Sequence, residues 1–323
     1  MKKNILKIES ANNSFQNNEP LRSVIHFHQT HENIHQDFDE LLDTIAPLMV
    51  DVVLEGETGT GKDTFARQLY TRSGCRGEFV AINCAAIPEN IAESELFGVM
   101  AGAYTGANHS RAGYIESANN GILFLDEIDS MPLNLQAKLL RVLETRTVGR
   151  LGTTQSVPLN LRVVVASQKP LASLVEEKAF RQDLFFRLAT VKVSLPALRH
   201  RLEFIIPLFR RFAQEAALRL NRALPPMSAS LSETLLMHNW PGNIRELRVA
   251  AERFVLGIPP LNETARQENR RFRLRERMRR IEYCLIEDCL LRHENHIVSA
   301  AHELGVPRRT LYQRIKSLSS VDT

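Results

Sequence analysis

Long apolar runs are missing from this sequence: the stretch Ile45 to Leu54 is broken by Asp51 well before it could span a bilayer. The opening residues MKKNILKIES carry two lysines but no apolar core of signal-peptide length. No membrane partner is expected, and the chain reads as cytoplasmic. Cysteine is scarce. Cys75, Cys84, Cys284 and Cys289 have neither CxxC spacing nor a matching histidine pair, so neither disulfides nor a zinc site are expected. A strong excess of one charge is lacking too, the net being +4, and internal repeats are not found. What is present is ordinary globular usage over 323 residues, 44% hydrophobic and 24% charged, which excludes global disorder and favours about two domains. The charge is unevenly placed. From Thr264 to Thr323 there are 13 Lys and Arg against 8 Asp and Glu, so a basic tail follows a near-neutral body, as suits a module that meets a polyanion.

The first 20 or so residues, rich in Asn, Ser, Gln and Glu, have no periodicity and end at Pro20. From Ile25 to about Pro196, short β-rich runs alternate with helical patterns: 51–54, 79–82, 122–125 and 161–166. Continuous apolar strands between helices predict a parallel sheet covered on both faces. Beyond Pro196 the spacing predicts helices at 202–220, 229–238 and 242–256, separated by Pro225-Pro226 and Trp240-Pro241-Gly242.

Directly after the first of these strands comes Gly56-Glu57-Thr58-Gly59-Thr60-Gly61-Lys62-Asp63, then a helix with Phe65, Ala66 and Leu69 on one face. Strand, glycine-rich loop and helix in that order form a phosphate cradle: backbone N–H groups turn inward and Lys62 adds a full positive charge. Asp63 stands where a Ser or Thr hydroxyl would ordinarily touch Mg²⁺. About 60 residues on, the strand Ile122 to Leu125 runs into Asp126-Glu127. Open α/β sheets place ligands at such strand ends, where Asp126 would hold Mg²⁺ through water and Glu127 would act as general base. Either feature alone has a bland reading, as a glycine turn or an acidic strand end; together they predict nucleotide hydrolysis.

The order of motifs resembles one family, the bacterial enhancer-binding proteins, AAA+ ATPases that activate RNA polymerase carrying sigma-54. The resemblance covers about Val53 to Val255. It is carried by 56–63, Glu95-Leu96-Phe97-Gly98, Gly102-Ala103-Tyr104-Thr105-Gly106-Ala107, 123–128, the segment Phe180 to Leu188, and Trp240 to Leu247. It implies ATP and Mg²⁺ as ligands, with Gly102 to Ala107 at the tip of a loop that touches sigma-54. It also implies that Asn83 is a switch residue for Glu127, that Arg181 and Arg187 reach into a neighbouring subunit's site, and that Arg245 reads the γ-phosphate. A ring follows from shared sites, most simply a hexamer. This chain departs from the family pattern at Ser167-Gln168, where Thr-Asn is usual, at Val99-Met100-Ala101, which lacks charge, and at Arg199 to Phe204, which lacks an acidic pair.

At the C-terminal end, Ile281 to Leu291 has helical spacing, and Ile297 to Lys316 contains Ala301, Gly305 and Pro307 where a helix-turn-helix needs a close crossing, a turn and a helix start. It resembles the Fis-type DNA-binding end of the same family. Arg308, Arg309, Thr310, Gln313 and Arg314 are the candidate groove and phosphate contacts on double-stranded upstream DNA, with Leu311 and Ile315 in the core.

The expected organisation is a leader at 1–24, an AAA+ parallel-sheet α/β subdomain at 25–196, a helical lid at 197–256, a basic linker at 257–280 and the helix-turn-helix at 281–323. The short leader leaves no room for a receiver domain, which implies control in trans, as by a co-activator or inhibitory partner, or by abundance. That layout is found in HrpS-type activators of type III secretion genes and in phage-shock activators, and the short leader and the departures above favour the HrpS kind. A DNA-binding regulator with an inactive ATPase scaffold is the second reading.

Overall fold

Val, Ile, Leu and Phe recur in four- to six-residue runs, and these runs become the strands of a six-stranded, all-parallel sheet in this computed structural model. The structure describes residues 23–25, 34–104, 107–261, 278–279, 282, 285–286, 289–290, 293 and 296–319. Its sheet strands are β1 (Ser23–Ile25), β2 (Val52–Glu55), β3 (Phe79–Asn83), β6 (Ile122–Asp126), β9 (Arg162–Ser167) and β10 (Val191–Ser194), in the spatial order β1-β10-β2-β9-β6-β3. Two short antiparallel pairs lie outside it: β4 (Gly98–Val99) with β5 (Arg111–Ala112), and β7 (Thr147–Gly149) with β8 (Ser156–Pro158).

The sequence predicts four of the sheet strands to within a residue or two; β1 is three residues long, and Lys192 interrupts the apolar run of β10. Alternation along each strand splits the core in two. Leu123, Leu125, Val163 and Val165 pack on one face with helices α3 (Glu89–Phe97) and α5 (Leu133–Thr145), whereas Ile122, Phe124, Val164 and Ala166 pack on the other with α1 (Ile34–Ile45) and α2 (Lys62–Ser73). Both faces are dry, which is why these strands read as unbroken apolar runs. The short helices α4 (Tyr114–Ser117), α6 (Leu171–Glu176) and α7 (Gln182–Leu188) complete this layer.

One charged group interrupts the apolar strands. Arg162 is fully buried and donates to the last carbonyls of α1 and the chain leaving it: Nη2 to Ile45 O at 3.1 Å, Nη1 to Ala46 O at 3.2 Å and Nε to Val50 O at 2.7 Å. A cation is favourable at a helix C-terminus, and three acceptors compensate its burial.

The chain divides into two units, Met1–Glu57 with Gly61–Leu195, and Thr58–Thr60 with Pro196–Thr323. In the second, α8 (Leu202–Arg219), α9 (Ala229–Met237) and α10 (Asn243–Val255) form a helical layer in which Phe209 meets Phe254 at 5.5 Å between ring centroids. Trp240, fully buried, anchors the α9–α10 turn through Nε1 to Leu235 O at 2.8 Å. At its C-terminal end, α11 (Ile297–Glu303) and α12 (Arg308–Ser319) pack over Ile286, Cys289, Leu290, Ala300, Ala301 and Leu311.

Candidate functional site

The loop after β2 ends at Gly61, whose φ of 100° is left-handed and opens α2 directly at Lys62. The Lys62 ammonium donates to Gly56 O at 2.6 Å and Glu57 O at 3.0 Å, which fixes it over the loop backbone. Asp63 faces Arg67 one turn on, at 2.9 Å, on the exposed side of the helix. Within the second unit, to which Thr58 belongs, the buried Asn243 donates from Nδ2 to Thr58 O at 2.9 Å and accepts from Leu198 N at 2.7 Å. Arg245 lies exposed on α10.

Across the sheet, β6 delivers Asp126 and Glu127 at its carboxyl end. Asp126 Oδ1 accepts the Glu127 N–H at 3.0 Å, and Glu127 takes a left-handed backbone (φ 53°, ψ 46°) that swings it off the strand line. Burial lifts the Asp126 carboxyl above its ordinary range; the Glu127 N–H and Lys62 oppose this, while Glu127 and Asp63 add to it. The same carboxylates bear on Cys84, whose thiol is pushed up to about 12, first by burial and then by Asp126, Asp129 and Glu127. Lys62, Asp63, Asp126 and Glu127 thus share one electrostatic environment. A carboxylate-rich spot next to a glycine-rich loop has oxygen donors that suit a hard divalent cation, and Asp126 is the residue that could hold one.

Asn83 lies level with Asp126 in the register of β3 and β6. Its Oδ1 accepts from the Ala85 and Ala86 N–H groups at 2.9 and 3.2 Å, capping the turn at 84–86. The bond to Glu127 comes from the other flank: Gln168 Nε2 donates to Glu127 Oε1 at 2.9 Å.

The two arginines of the 180–188 segment differ. Arg181 is exposed and held in a fork by Asp183, Nε to Oδ1 at 3.0 Å and Nη2 to Oδ2 at 2.7 Å. Its backbone N–H is fixed by Gln136 Oε1 at 2.9 Å, and Gln136, fully buried, also donates to Met131 O and Ala179 O. Arg187 is engaged within its own chain, by Leu143 O at 2.9 Å and the buried Asp51 at 3.5 Å. Gln136 escapes sequence reasoning because a lone glutamine carries no pattern and only its partners reveal it, whereas Gln168 shows in the sequence only as a departure from the family pattern.

The Gly102–Ala107 segment closes on itself through Gly102 N to Ala107 O at 2.8 Å and Ala107 N to Tyr104 O at 3.0 Å. Tyr104 is exposed and Ala107 is buried; Thr105 and Gly106 lie outside the described residues. The base of the loop is the β4–β5 pair. A Cβ on Gly113 would meet Gly98 N at 2.4 Å, and one on Gly98 would meet Gly113 N at 2.7 Å, so only glycines let these backbones approach so closely.

In the C-terminal pair of helices, Arg308, Arg309 and Gln313 are exposed, Thr310 is half-buried and Leu311 is in the core. Arg314 pairs with Glu282. Cys289, His293 and Glu303 place their ligand atoms within 4.8 Å of one another. His293 sits one turn after Cys289, its N–H bonded to Cys289 O at 3.2 Å, and pairs with Glu303.

Comparison with known proteins matches three family descriptions to parts of the chain. The description of the sigma-54 interaction domain matches residues 28–194, that of the AAA+ ATPase lid domain residues 199–260, and that of the bacterial regulatory protein, Fis family, residues 277–318. The chain is similar to the pathogenicity locus probable regulatory protein WtsA of Pantoea stewartii subsp. stewartii, 56% identical over 97% of this chain and 98% of that one. It is 52% identical to the pathogenicity locus probable regulatory protein HrpS of Pseudomonas syringae pv. syringae, over 89% of this chain and 99% of that one. Among solved structures, NtrX from Brucella abortus in complex with ADP matches with a TM-score of 0.67 at 28% identity, covering 90% of this chain and 69% of that one. With a sigma-54 interaction domain over half its length, a lid and a Fis-type end, the chain belongs to the sigma-54-dependent AAA+ transcriptional activators.

Proposed function

We propose that this activator hydrolyses ATP in a ring of identical subunits, most simply a hexamer, and uses the cycle to drive its Tyr104 loop against sigma-54. The observation that carries the reading is the shared environment of Lys62, Asp126 and Glu127 at the carboxyl ends of β2 and β6. Residues 56–63 and Lys62 would cradle the phosphates, Asp126 would hold Mg²⁺, and the ion would neutralise charge on the β and γ oxygens. Glu127 accepts a proton from the attacking water as the new O–P bond forms on the γ-phosphorus and the bond to the β–γ bridging oxygen breaks, leaving ADP and phosphate. Arg181, exposed and steered by Asp183, is the group suited to reach a neighbour's phosphate, and Arg245 to sense nucleotide from the lid. Asn83 would act on Glu127 as a switch.

The helix-turn-helix tethers the assembly to upstream DNA through Arg308, Arg309, Thr310 and Gln313, with Arg314 joining once released from Glu282. Similarity to WtsA and HrpS over nearly their whole length supports a pathogenicity regulon, and we assign type III secretion genes as its target. Control by a co-activator or inhibitory partner in the cytoplasm fits this assignment; among the described residues no helix is long and apolar enough to cross a membrane.

The test is ATP hydrolysis against protein concentration for wild type, Glu127→Gln and Arg181→Ala. A rate per subunit that rises with concentration and vanishes in both variants supports catalysis shared between neighbours. A flat background rate in all three, with nucleotide still bound, refutes it in favour of a DNA-binding scaffold.

A further inference from the structure

We propose that Cys289, His293 and Glu303 form a binding site for a transition-metal dication, Zn²⁺ being the ion these donors fit best. Their ligand atoms lie within 4.8 Å of one another. Thiolate, imidazole and carboxylate are the ligand types of Zn²⁺, which holds them at about 2.0–2.3 Å and so sets tetrahedral neighbours about 3.3–3.8 Å apart. A shift of about an ångström or less therefore closes the three groups on an ion. Sulfur and ring nitrogen separate this site by chemistry from the all-oxygen donors around Asp126, which suit Mg²⁺.

Local structure brings the ligands together. Cys289 and His293 are four residues apart, one helical turn, and the His293 N–H bonds to Cys289 O at 3.2 Å. The His296 N–H then bonds to His293 O at 2.8 Å and turns the chain into α11, whose last residue is Glu303. Ala300 and Ala301, buried with Ile286, Cys289 and Leu290, let the two segments approach closely, and Glu303 comes to pair with His293. No paired cysteines announce such a site in the sequence, because its ligands are one of each kind from two segments.

The Cys289 thiol donates to Ala300 O at 3.6 Å. Metal binding releases that proton to solvent and leaves His293 neutral, its own proton on the ring nitrogen that does not hold the ion. Ala300 O keeps the Leu304 N–H at 2.9 Å, so loss of the S–H donor strands no acceptor. One thiolate and one carboxylate cancel the charge of the dication, so no net charge is placed beside the apolar core. Among the described residues that core has six buried members, and α12, which carries the candidate DNA contacts, joins it through Leu311. An ion held between the segments staples a small core, as metals do in small folds.

The experiment titrates the full chain with Co²⁺, a coloured stand-in for Zn²⁺, under excess Mg²⁺ that fills oxygen-only sites. Wild type is expected to take up one Co²⁺ per chain with a thiolate-to-cobalt charge-transfer band that Zn²⁺ bleaches. Cys289→Ala and His293→Ala are expected to lose the band. Glu303→Gln should weaken Co²⁺ binding about tenfold or more, the least that even an outer partner of a metal site costs when lost. Absence of the band in wild type overturns the proposal, as does full affinity in Glu303→Gln. A band that survives Cys289→Ala overturns it too, because Cys75, Cys84 or Cys284 would then supply the thiolate.

Folding does not confound these variants together: alanine at 289 is of the kind already present at 300 and 301, and Glu303 is exposed. A second measurement reads the staple itself. Zn²⁺ at a hundred times its Kd should slow hydrogen exchange of the α11 amides by up to about a hundredfold in wild type, and leave Cys289→Ala unchanged. No slowing in wild type, or equal slowing in both proteins, overturns the proposal. Neither measurement depends on whether the protein hydrolyses ATP.

Discussion

Replacing Arg162 with leucine is expected to destabilise the first unit by about 3–5 kcal/mol, the range for stranding buried polar partners. The side chain is fully buried and satisfies three carbonyls, those of Ile45, Ala46 and Val50. Each acceptor left dry costs about 1–3 kcal/mol, and relief from burying a cation returns part of the sum. That cation is real at neutral pH, since burial lowers the guanidinium only to about 10, with Cys75 and Asp51 opposing the change. Arg162→Lys keeps the charge but offers a point donor in place of a planar fork, so it should fall between wild type and leucine. Urea unfolding followed by circular dichroism reads the loss as a shift in midpoint. A loss below about 1 kcal/mol for the leucine variant, with an unchanged slope, would refute the reasoning, because it would mean that water replaces the guanidinium at all three carbonyls. The change has a functional echo: Val50 leads into β2, so a loosened Val50 carbonyl should also weaken nucleotide binding.

The two arginines of the 180–188 segment should separate by assay: Arg187→Ala lowers the unfolding free energy by about 1–2 kcal/mol, read as a lower urea midpoint, through loss of its Leu143 and Asp51 bonds, whereas Arg181→Ala leaves the midpoint unchanged and abolishes hydrolysis. Asp126→Asn should abolish hydrolysis yet raise the Tm of the nucleotide-free protein by about 1–3 °C at pH 7.5. With its folded pKa raised by burial, the native state binds more protons than the unfolded chain in that window, so stability falls as pH rises through it and the gain from Asn is full only above it. Glu246 shows the opposite sign. Burial pulls its carboxyl up, but the His238 side chain at 2.8 Å and the Gly242 N–H at 2.8 Å outweigh it and the net shift is downward. Its contribution is present above the unfolded glutamate pKa and lost as pH falls through the lowered folded value, so Glu246→Gln should flatten the acid limb of a Tm–pH curve. Cys84, with its thiol near 12, should resist iodoacetamide at pH 8 in the native protein and react once urea unfolds it.

The strands that build the sheet were legible because apolar residues on both faces leave no other use for runs such as Ile122 to Leu125. The phosphate loop and the Asp126-Glu127 pair were legible for a related reason: their chemistry requires particular residue types at fixed spacing. The helix-turn-helix followed from Ala301, Gly305 and Pro307, each with one steric task. What stayed hidden depends on partners far apart in sequence. Arg162 reads as an interruption of an apolar strand until its three carbonyls, more than 110 residues upstream, are in view. Arg187 and Arg181 sit on one short helix and its cap and look alike in the sequence, yet Asp51 claims the first and Asp183 the second. Gln168 looked like a departure from a pattern, and the structure finds its amide on Glu127.

The paired glycines at the base of the Tyr104 loop carry a mechanical consequence. A Cβ at either glycine would collide with the facing backbone, so any side chain there would force β4 and β5 apart and disturb the Gly102–Ala107 segment that they carry. If the loop presses on sigma-54 as proposed, residues beyond the neck are free to change with that surface, while the two glycines below it are not, because only they allow the close pairing.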